Sequence, residues 1–188
     1  MINRTPTNTA TWFVLIACIV LFAGCHSKPL TSSAPGADGW RTVAASDGSF
    51  SFSVPGDPEK RVEHEDAELG PVTHTFYTLK HEKVYFFVVG TECPEGKLTP
   101  PGAEKFLHGA IEGMRQTPGV TFLSEKTVEL NGSPGRDVVM NIEKKTPARM
   151  YQRWFIVKNR ILALSVAYPQ AQDSSAEAAR FLDSLKVN

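Results

Sequence analysis

The sequence has little that identifies a reaction. It contains no phosphate-binding glycine loop, no HExxH, no paired CxxC and no GxSxG motif. The usual short signatures of nucleotide-binding, metalloprotease, zinc-ribbon and serine-hydrolase sites are therefore absent. Catalytic groups also assemble from residues far apart in a chain, so these absences count only weakly against an enzyme. They favour a non-catalytic protein that needs no cofactor.

The chain has no net charge and few cysteines. The chain carries 20 basic and 20 acidic side chains, so it has no net field that would attract nucleic acid, and we expect no nucleic-acid partner. Its three cysteines are Cys18, Cys25 and Cys93. The first two lie in or beside an apolar N-terminal run, which leaves Cys93 without an internal disulfide partner. We interpret Cys93 as a small buried hydrophobic residue rather than a reactive thiol.

The N-terminal run has the layout of a secretory signal peptide. A polar segment with Arg4 as its only basic residue precedes twelve apolar residues, 12–23, too few to span a bilayer that needs about 20. The run ends in the small residues Ala23 and Gly24 before Cys25, and this ending resembles the lipobox of bacterial lipoproteins. We therefore expect residues 1–24 to be a lipoprotein signal peptide and Cys25 to carry the lipid.

Two alternatives to a lipid at Cys25 remain. Phe22 stands where the lipobox usually has an aliphatic residue, and the segment ending at Cys18 fits the pattern letter by letter. Processing at Cys18 would leave residues 19–22 as an exposed apolar stub, which favours Cys25. An ordinary signal peptide, giving a soluble secreted protein, is the other alternative.

Removing 24 residues from 188 leaves 164, enough for one domain with its own core. Residues 25–39 are rich in Ser, Pro and Gly and lack apolar periodicity, so we interpret them as the lipidated cysteine followed by a flexible tether. Every periodic apolar pattern lies from Trp40 onward. Residues 40–188 are therefore the predicted domain.

Strands dominate that domain. Residues 49–54 alternate Phe50, Phe52 and Val54 with serines, which predicts a hairpin arm with one buried face. Further strands are predicted at 72–80, 84–89, 120–130, 136–143, 150–158 and 161–168. Several of them are apolar on both faces, so the sheet needs a cover on each side.

Two helices can supply these covers. The first begins at Thr99 and Pro100 and carries an apolar stripe until residues 117–119. The second begins at Ser174, which with Glu177 has the spacing of a capping box. The predicted fold is therefore α+β: a mainly antiparallel β-sheet covered by helices on both faces.

The order of these patterns resembles a known family. The segments DGSFSFSVPGDP, NGSPGRDVVM, RWFIVKNRILALSVAYP and RFLDSLKV, with a two-faced strand and a mid-chain helix between them, are similar to the PsbP-like domains. This fold is shared with the bacterial lipoprotein DcrB. The resemblance implies an antiparallel sheet between helices, and it transfers no binding or catalytic residue because fold alone does not specify function.

The best candidate for chemistry is an acidic cluster around His64. It comprises Glu63, His64, Glu65, Asp66 and Glu68, and strand pairing could add His74 or His81 to give the mixed ligands that zinc or manganese accepts. A solvated acidic turn is the simpler interpretation, because His74 and His81 differ in strand parity. The aromatic residues Trp40, Tyr151, Trp154 and Tyr168 could form a docking surface, but core packing accounts for most of them.

These observations favour a membrane-anchored envelope lipoprotein that acts as a non-catalytic binding or accessory module. Its partners would be the membrane, through the lipid, and an envelope protein. The alternative is a metal-binding or hydrolytic enzyme that uses the His64 cluster. His26 follows the cysteine where inner-membrane retention signals usually carry Asp, so the resemblance favours the outer membrane in a cell that has one, with the domain facing the periplasm or exterior.

Labelling with a clickable fatty acid tests the anchor. We expect incorporation into the full chain, loss of the label in Cys25→Ala, and undiminished label in the matched variant Cys18→Ala. The opposite pattern would show that processing occurs at Cys18, and no label in either protein would leave the chain without a lipid anchor.

Overall fold

The computed structural model describes residues 32–67 and 70–188. The predicted signal peptide, Cys25, the first part of the predicted tether, and Glu68 of the acidic cluster lie outside these residues. The elements are β1 Arg41–Ala44, β2 Phe50–Val54, β3 Glu59–Ala67, β4 Gly70–His81, β5 Val84–Glu92, α1 Pro100–Arg115, β6 Val120–Leu130, β7 Ser133–Ile142, β8 Ala148–Val157, β9 Arg160–Pro169, α2 Ser175–Asp183 and β10 Lys186–Val187.

The strands form two sheets. Seven of them make one antiparallel sheet in the order β3-β4-β5-β9-β8-β7-β6, and β1, β2 and β10 make a smaller antiparallel sheet. The predicted α+β class is confirmed. The predicted hairpin arm at residues 49–54 also forms, as β2 paired with β1. It belongs to the small sheet, which is completed by β10, a strand that the sequence analysis did not predict.

Each face of the large sheet has its own cover. Helix α1 lies on one face, where Leu107 and Ile111 pack with Trp154 and Val138. The small sheet and α2 lie on the other face, where Phe52 and Phe181 join a core with buried residues of the central strands. The two-faced strands β5, β8 and β9 therefore lie in the middle of the sheet, as predicted. Trp154 is buried, and its interpretation as a core residue is confirmed.

Two turns differ from their predicted positions. The β6–β7 turn is shorter than expected, because only Asn131 and Gly132 connect the strands, both with positive φ. This geometry is the one that two-residue hairpin turns favour. The β8–β9 turn comprises Lys158 and Asn159, one residue earlier than predicted.

The predicted capping box at Ser174 does not form. Ser174 is the N-cap residue of α2, but its side chain makes no capping hydrogen bond. Its Oγ instead accepts a hydrogen bond of 2.7 Å from Gln172 Nε2. The carboxylate of Asp173 accepts from the Ser175 N–H at 3.0 Å, so an acidic residue one place earlier satisfies a donor of the first turn.

Hydrogen bonds begin before Trp40. Ser32 forms an antiparallel bridge with Val43, and the Ser33 N–H donates to the Thr42 carbonyl at 3.0 Å. Asp38 pairs with Arg180, whose guanidinium lies 4.1 Å from the ring centroid of Trp40. The later part of the predicted tether therefore contacts the domain. The predicted boundary at Trp40 itself stays a prediction.

Within residues 32–67 and 70–188, no helix is long and apolar enough to cross a membrane.

The packing of β7 against β8 predicts a sharp difference between two glycines. A Cβ at Gly135 would overlap the Trp154 carbonyl oxygen and the Phe155 ring, whereas a Cβ at Gly109, in α1, would meet nothing. We expect Gly135→Ala to lower the free energy of unfolding by about 1–3 kcal/mol. Gly109→Ala should raise it by about 0.5–1 kcal/mol, because alanine favours a helix.

Urea unfolding followed by circular dichroism measures both values. Equal stabilities for Gly135→Ala and the parent would contradict the close packing of β7 on β8.

Candidate functional site: a polar pocket beside β3

A pocket of about 240 Å³ lies between the β1–β2 turn and one end of the large sheet. Its floor consists of side chains from β3, β4, β5 and β9 that share one sheet face, since they are cross-strand partners in register. The floor residues are Lys60, Val62, Thr73, Thr75, Tyr77, Gly90, Glu92 and Arg160. The floor therefore runs from the edge strand β3 to the central strand β9, and one side of the pocket lies at the margin of the sheet.

The turn between β1 and β2 forms the roof. Ala45, Ser46, Asp47 and Phe50 line this side of the pocket. The Phe50 ring lies directly over Gly90, where an added Cβ would come within 3.0 Å of Phe50 Cε1. Glycine at this position therefore lets the roof approach the sheet. The turn is tied to the floor by a hydrogen bond from Lys60 Nζ to Ser46 Oγ.

Arg160 and Asp47 form the strongest ionic contact of the site. Arg160 Nη2 lies 2.7 Å from Asp47 Oδ2 and 3.5 Å from Glu92 Oε2, and its Nη1 donates to Ser49 Oγ. The Asp47 carboxylate also accepts from the Ser49 hydroxyl at 2.7 Å and the Ser49 N–H at 3.1 Å. Partial burial opposes ionisation of Asp47, but the Ser49 and Arg160 contacts outweigh it and lower the pKa of Asp47 to about 2.

Tyr77 has an unusual hydroxyl. The side chain is buried, and its ring packs edge-on against Phe50 and Phe52. Its Oη has no hydrogen-bond partner in the structure. Burial raises the pKa of Tyr77 to about 12; Asp47 adds to this effect and Arg160 opposes it. A buried hydroxyl without a partner is costly, so this atom marks a position where a ligand or water gains a hydrogen bond.

The metal site that the sequence suggested around His64 does not assemble. Side chains alternate between the two faces of a strand, so Glu63 and Glu65 lie on the same face of β3 as Arg61. His64 lies on the opposite face, which is the pocket face. His64 Nδ1 is 3.0 Å from Thr73 Oγ1. In residues 32–67 and 70–188, no three His, Cys, Asp or Glu side chains are close enough to hold a metal ion.

The other two candidate histidines are separated along β4. His74 is buried on the α1 side of the sheet, where its Nδ1 lies 2.8 Å from Thr91 Oγ1 and its Nε2 lies 3.5 Å from Glu65 Oε2. His81 is the last residue of β4, seven positions further on, and is exposed. The alternative in which strand pairing brings His64 together with His74 or His81 is therefore not found among the described residues.

Two further predictions concern buried residues. Cys93 is a buried free cysteine, and burial raises the pKa of its thiol, with a smaller effect from Glu92. This environment agrees with the prediction of a small hydrophobic residue rather than a reactive thiolate. Tyr168 is also buried, and the half-buried Tyr151 stacks on it, so both aromatic residues take part in core packing.

The pocket residues were not predicted from the sequence. Asp47 appeared there only as the first residue of the segment DGSFSFSVPGDP, and Lys60, Tyr77 and Arg160 lie in different strands. Only strand register brings them together. One signal was present: Tyr77 is a polar-tipped residue on the buried face of β4, and such a hydroxyl normally requires a partner.

The fold is α+β and PsbP-like. The structure is similar to cyanobacterial PsbP (CyanoP) from Synechocystis sp. PCC 6803, with a TM-score of 0.52 and 8% identity over 81% of this chain and 95% of that chain. At this identity the likeness shows the fold alone.

A second solved structure has a looser likeness. LpqN of Mycobacterium tuberculosis, described as involved in cell envelope biogenesis, aligns with a TM-score of 0.47 and 14% identity over 87% of each chain. The overlap is too loose to support a statement about this chain. No protein-family model matches the sequence, and neither does any curated protein.

The low pKa of Asp47 predicts a pH-dependent stability. A folded-state pKa of about 2, below the ordinary value of 3.8, stabilises the fold above pH 4, and this stabilisation is lost as the pH falls toward 2. Asp47→Asn should therefore lower the free energy of unfolding at pH 7 by about 1 kcal/mol, a value reduced for solvent screening of a half-exposed carboxylate. The difference should vanish near pH 2.

Urea titrations between pH 2 and pH 7 check this prediction. Ser49→Ala is the comparison variant, because it removes the Ser49 hydroxyl's hydrogen bonds with Asp47 and Arg160 but keeps the Ser49 N–H bond and the Arg160–Asp47 ion pair, so its effect should be intermediate. Parallel pH profiles for the parent and Asp47→Asn would contradict it.

Proposed function

We propose that this protein is a non-catalytic binding module of the cell envelope, anchored by a lipid at Cys25, which holds a small polar ligand in the pocket beside β3. The observation that carries the proposal is the buried Tyr77 side chain, which lines the pocket and whose hydroxyl has no hydrogen-bond partner. A ligand that hydrogen-bonds to this atom would recover the cost of burying it.

The ionisation of the pocket favours binding over catalysis. A general acid or base works best with a pKa near the ambient pH. Here the pKa of Asp47 falls to about 2 and that of Tyr77 rises to about 12, so both values move away from neutrality. Arg160, between two carboxylates, is also occupied. These groups hold fixed charges and dipoles, which suit recognition of a ligand.

The envelope location rests on the N-terminal sequence. The short apolar run, the small residues before Cys25 and the polar segment after it support export and lipid attachment. We propose that the domain faces the periplasm or the exterior. An envelope protein as a further partner is also proposed, on the basis of the predicted anchor.

A photo-reactive side chain in the pocket tests this function. Val62 lines the pocket and is 46% exposed, whereas Tyr85 is 41% exposed and does not line it. p-Benzoylphenylalanine replaces each residue in turn in the full chain, which is irradiated in intact cells and analysed by mass spectrometry. We expect a discrete small-molecule mass addition at position 62 and none at position 85.

The same addition at both positions, or none at either, would contradict a ligand-binding pocket. The Tyr85 variant controls for exposure, because its side chain is about as accessible as that of Val62.

A further inference from the structure

The floor of the pocket has three rows of side chains, which strand register defines. Lys60 and Tyr77 are partners in the first row; Val62, Thr75 and Gly90 form the second; Thr73, Glu92 and Arg160 form the third. His64 is the β3 partner of Thr73 in this third row but is not among the residues that line the pocket. Successive rows are two residues apart along each strand. The backbone positions of the first and third rows are therefore about 13 Å apart.

The first row supplies a cation and a hydroxyl donor. Lys60 Nζ donates to the neutral Ser46 hydroxyl, and no carboxylate of the described residues forms an ion pair with it. Its row partner Tyr77 keeps its proton at neutral pH, because its pKa is about 12. This end of the pocket carries one positive charge and a donor that nothing satisfies, which suits an anionic oxygen group.

The third row and Asp47 of the roof turn together have an excess of negative charge. One guanidinium, that of Arg160, lies between the carboxylates of Asp47 and Glu92. The closer contact is with Asp47, at 2.7 Å against 3.5 Å for Glu92. Glu92 is also the more exposed of these two carboxylates. This end therefore has one more negative than positive charge, which suits a cationic group.

The middle of the pocket is mainly apolar, with one hydroxyl from Thr75. Val62 on the floor and Phe50 on the roof face this region, and Gly90 adds no side chain to it. The pocket is thus polarised along its length, with no net charge from Lys60, Arg160, Asp47 and Glu92 taken together. An ion of one sign would be attracted at one end and repelled at the other.

We infer that the pocket binds a small zwitterion with an aliphatic middle. Its carboxylate lies against Lys60 and Tyr77, its ammonium lies against Glu92, and its methylene groups lie between Val62 and Phe50. This inference deepens the proposed function and rests on it, since it assigns the class of ligand that the same pocket takes.

Calorimetric titration of the full chain tests this ligand class. The probes are 5-aminopentanoic and 6-aminohexanoic acid, with pentanoic acid, hexanoic acid and hexylamine as matched compounds that carry one charge each. We expect the ω-amino acids to bind at least about tenfold more tightly than the singly charged compounds, because each end adds a charge-assisted contact.

Variants assign the two ends. Lys60→Met and Tyr77→Phe should each lower the affinity for 6-aminohexanoic acid by about tenfold and leave the affinity for hexylamine unchanged. Glu92→Gln should lower the affinity for 6-aminohexanoic acid and for hexylamine and leave the affinity for hexanoic acid unchanged. Lys80→Met is the control for lysine removal, because Lys80 is exposed and lies over the Tyr85 ring, away from the pocket. Lys80→Met should bind as the parent does.

Two results would overturn the zwitterion inference. One is equal affinity for the singly charged compounds and the ω-amino acids. The other is no binding of any ω-amino acid while the cross-link at position 62 still gives a small-molecule mass. In both cases the proposed binding function survives, and only the ligand class fails. Absence of both titration heat and cross-link would overturn the two together.

Discussion

The structure depends on one constraint: its central strands are apolar on both faces, so both faces of the large sheet must be covered. Strand β9 shows this directly, because Ile161 belongs to the core under α1 while Leu162 and Leu164 belong to the core under the small sheet. Helix α1 alone covers one face. The other face is covered by two elements, the small sheet and α2. The pocket lies under the β1–β2 turn, where the small sheet extends toward the edge strand of the large sheet.

Arginine side chains connect these covers to the sheet. Arg153 bonds to Asp137 in the neighbouring strand and to Asp183 at the end of α2, both at 2.7 Å. Arg160 does the same between β9 and the β1–β2 turn. Partly exposed ion pairs of this kind contribute little stability, typically 0–1 kcal/mol each. Their main effect is on geometry, since the guanidinium holds a cover at a fixed position over the hydrophobic contact.

Local patterns were sufficient for most of the fold. The alternation of Phe50, Phe52 and Val54 predicted β2, and the Thr99-Pro100 start predicted α1, because both depend on residues close in sequence. The split into two sheets and the two-residue strand β10 were not predictable, since a strand that short has no period of its own. Its position depends on pairing with β2, more than 130 residues away in the chain.

The site was less predictable than the fold for the same reason. The acidic cluster around His64 looked like a site because its members are adjacent in sequence, but strand parity sends adjacent residues to opposite faces. The pocket has the reverse property. Lys60, Tyr77 and Arg160 are distant in sequence and meet only through the register of four strands, which no local pattern specifies.

The bridge between Ser32 and Val43 has a consequence for how the pocket would meet its ligand. The backbone at Ser32 runs antiparallel to β1, so the chain enters the domain from the side of the turn that roofs the pocket. Seven residue steps separate Ser32 from Cys25 and reach at most about 25 Å. In the lipid-anchored chain proposed above, the pocket would stay within a thin layer at the bilayer surface, so it would sample the ligand close to the membrane and not throughout the compartment.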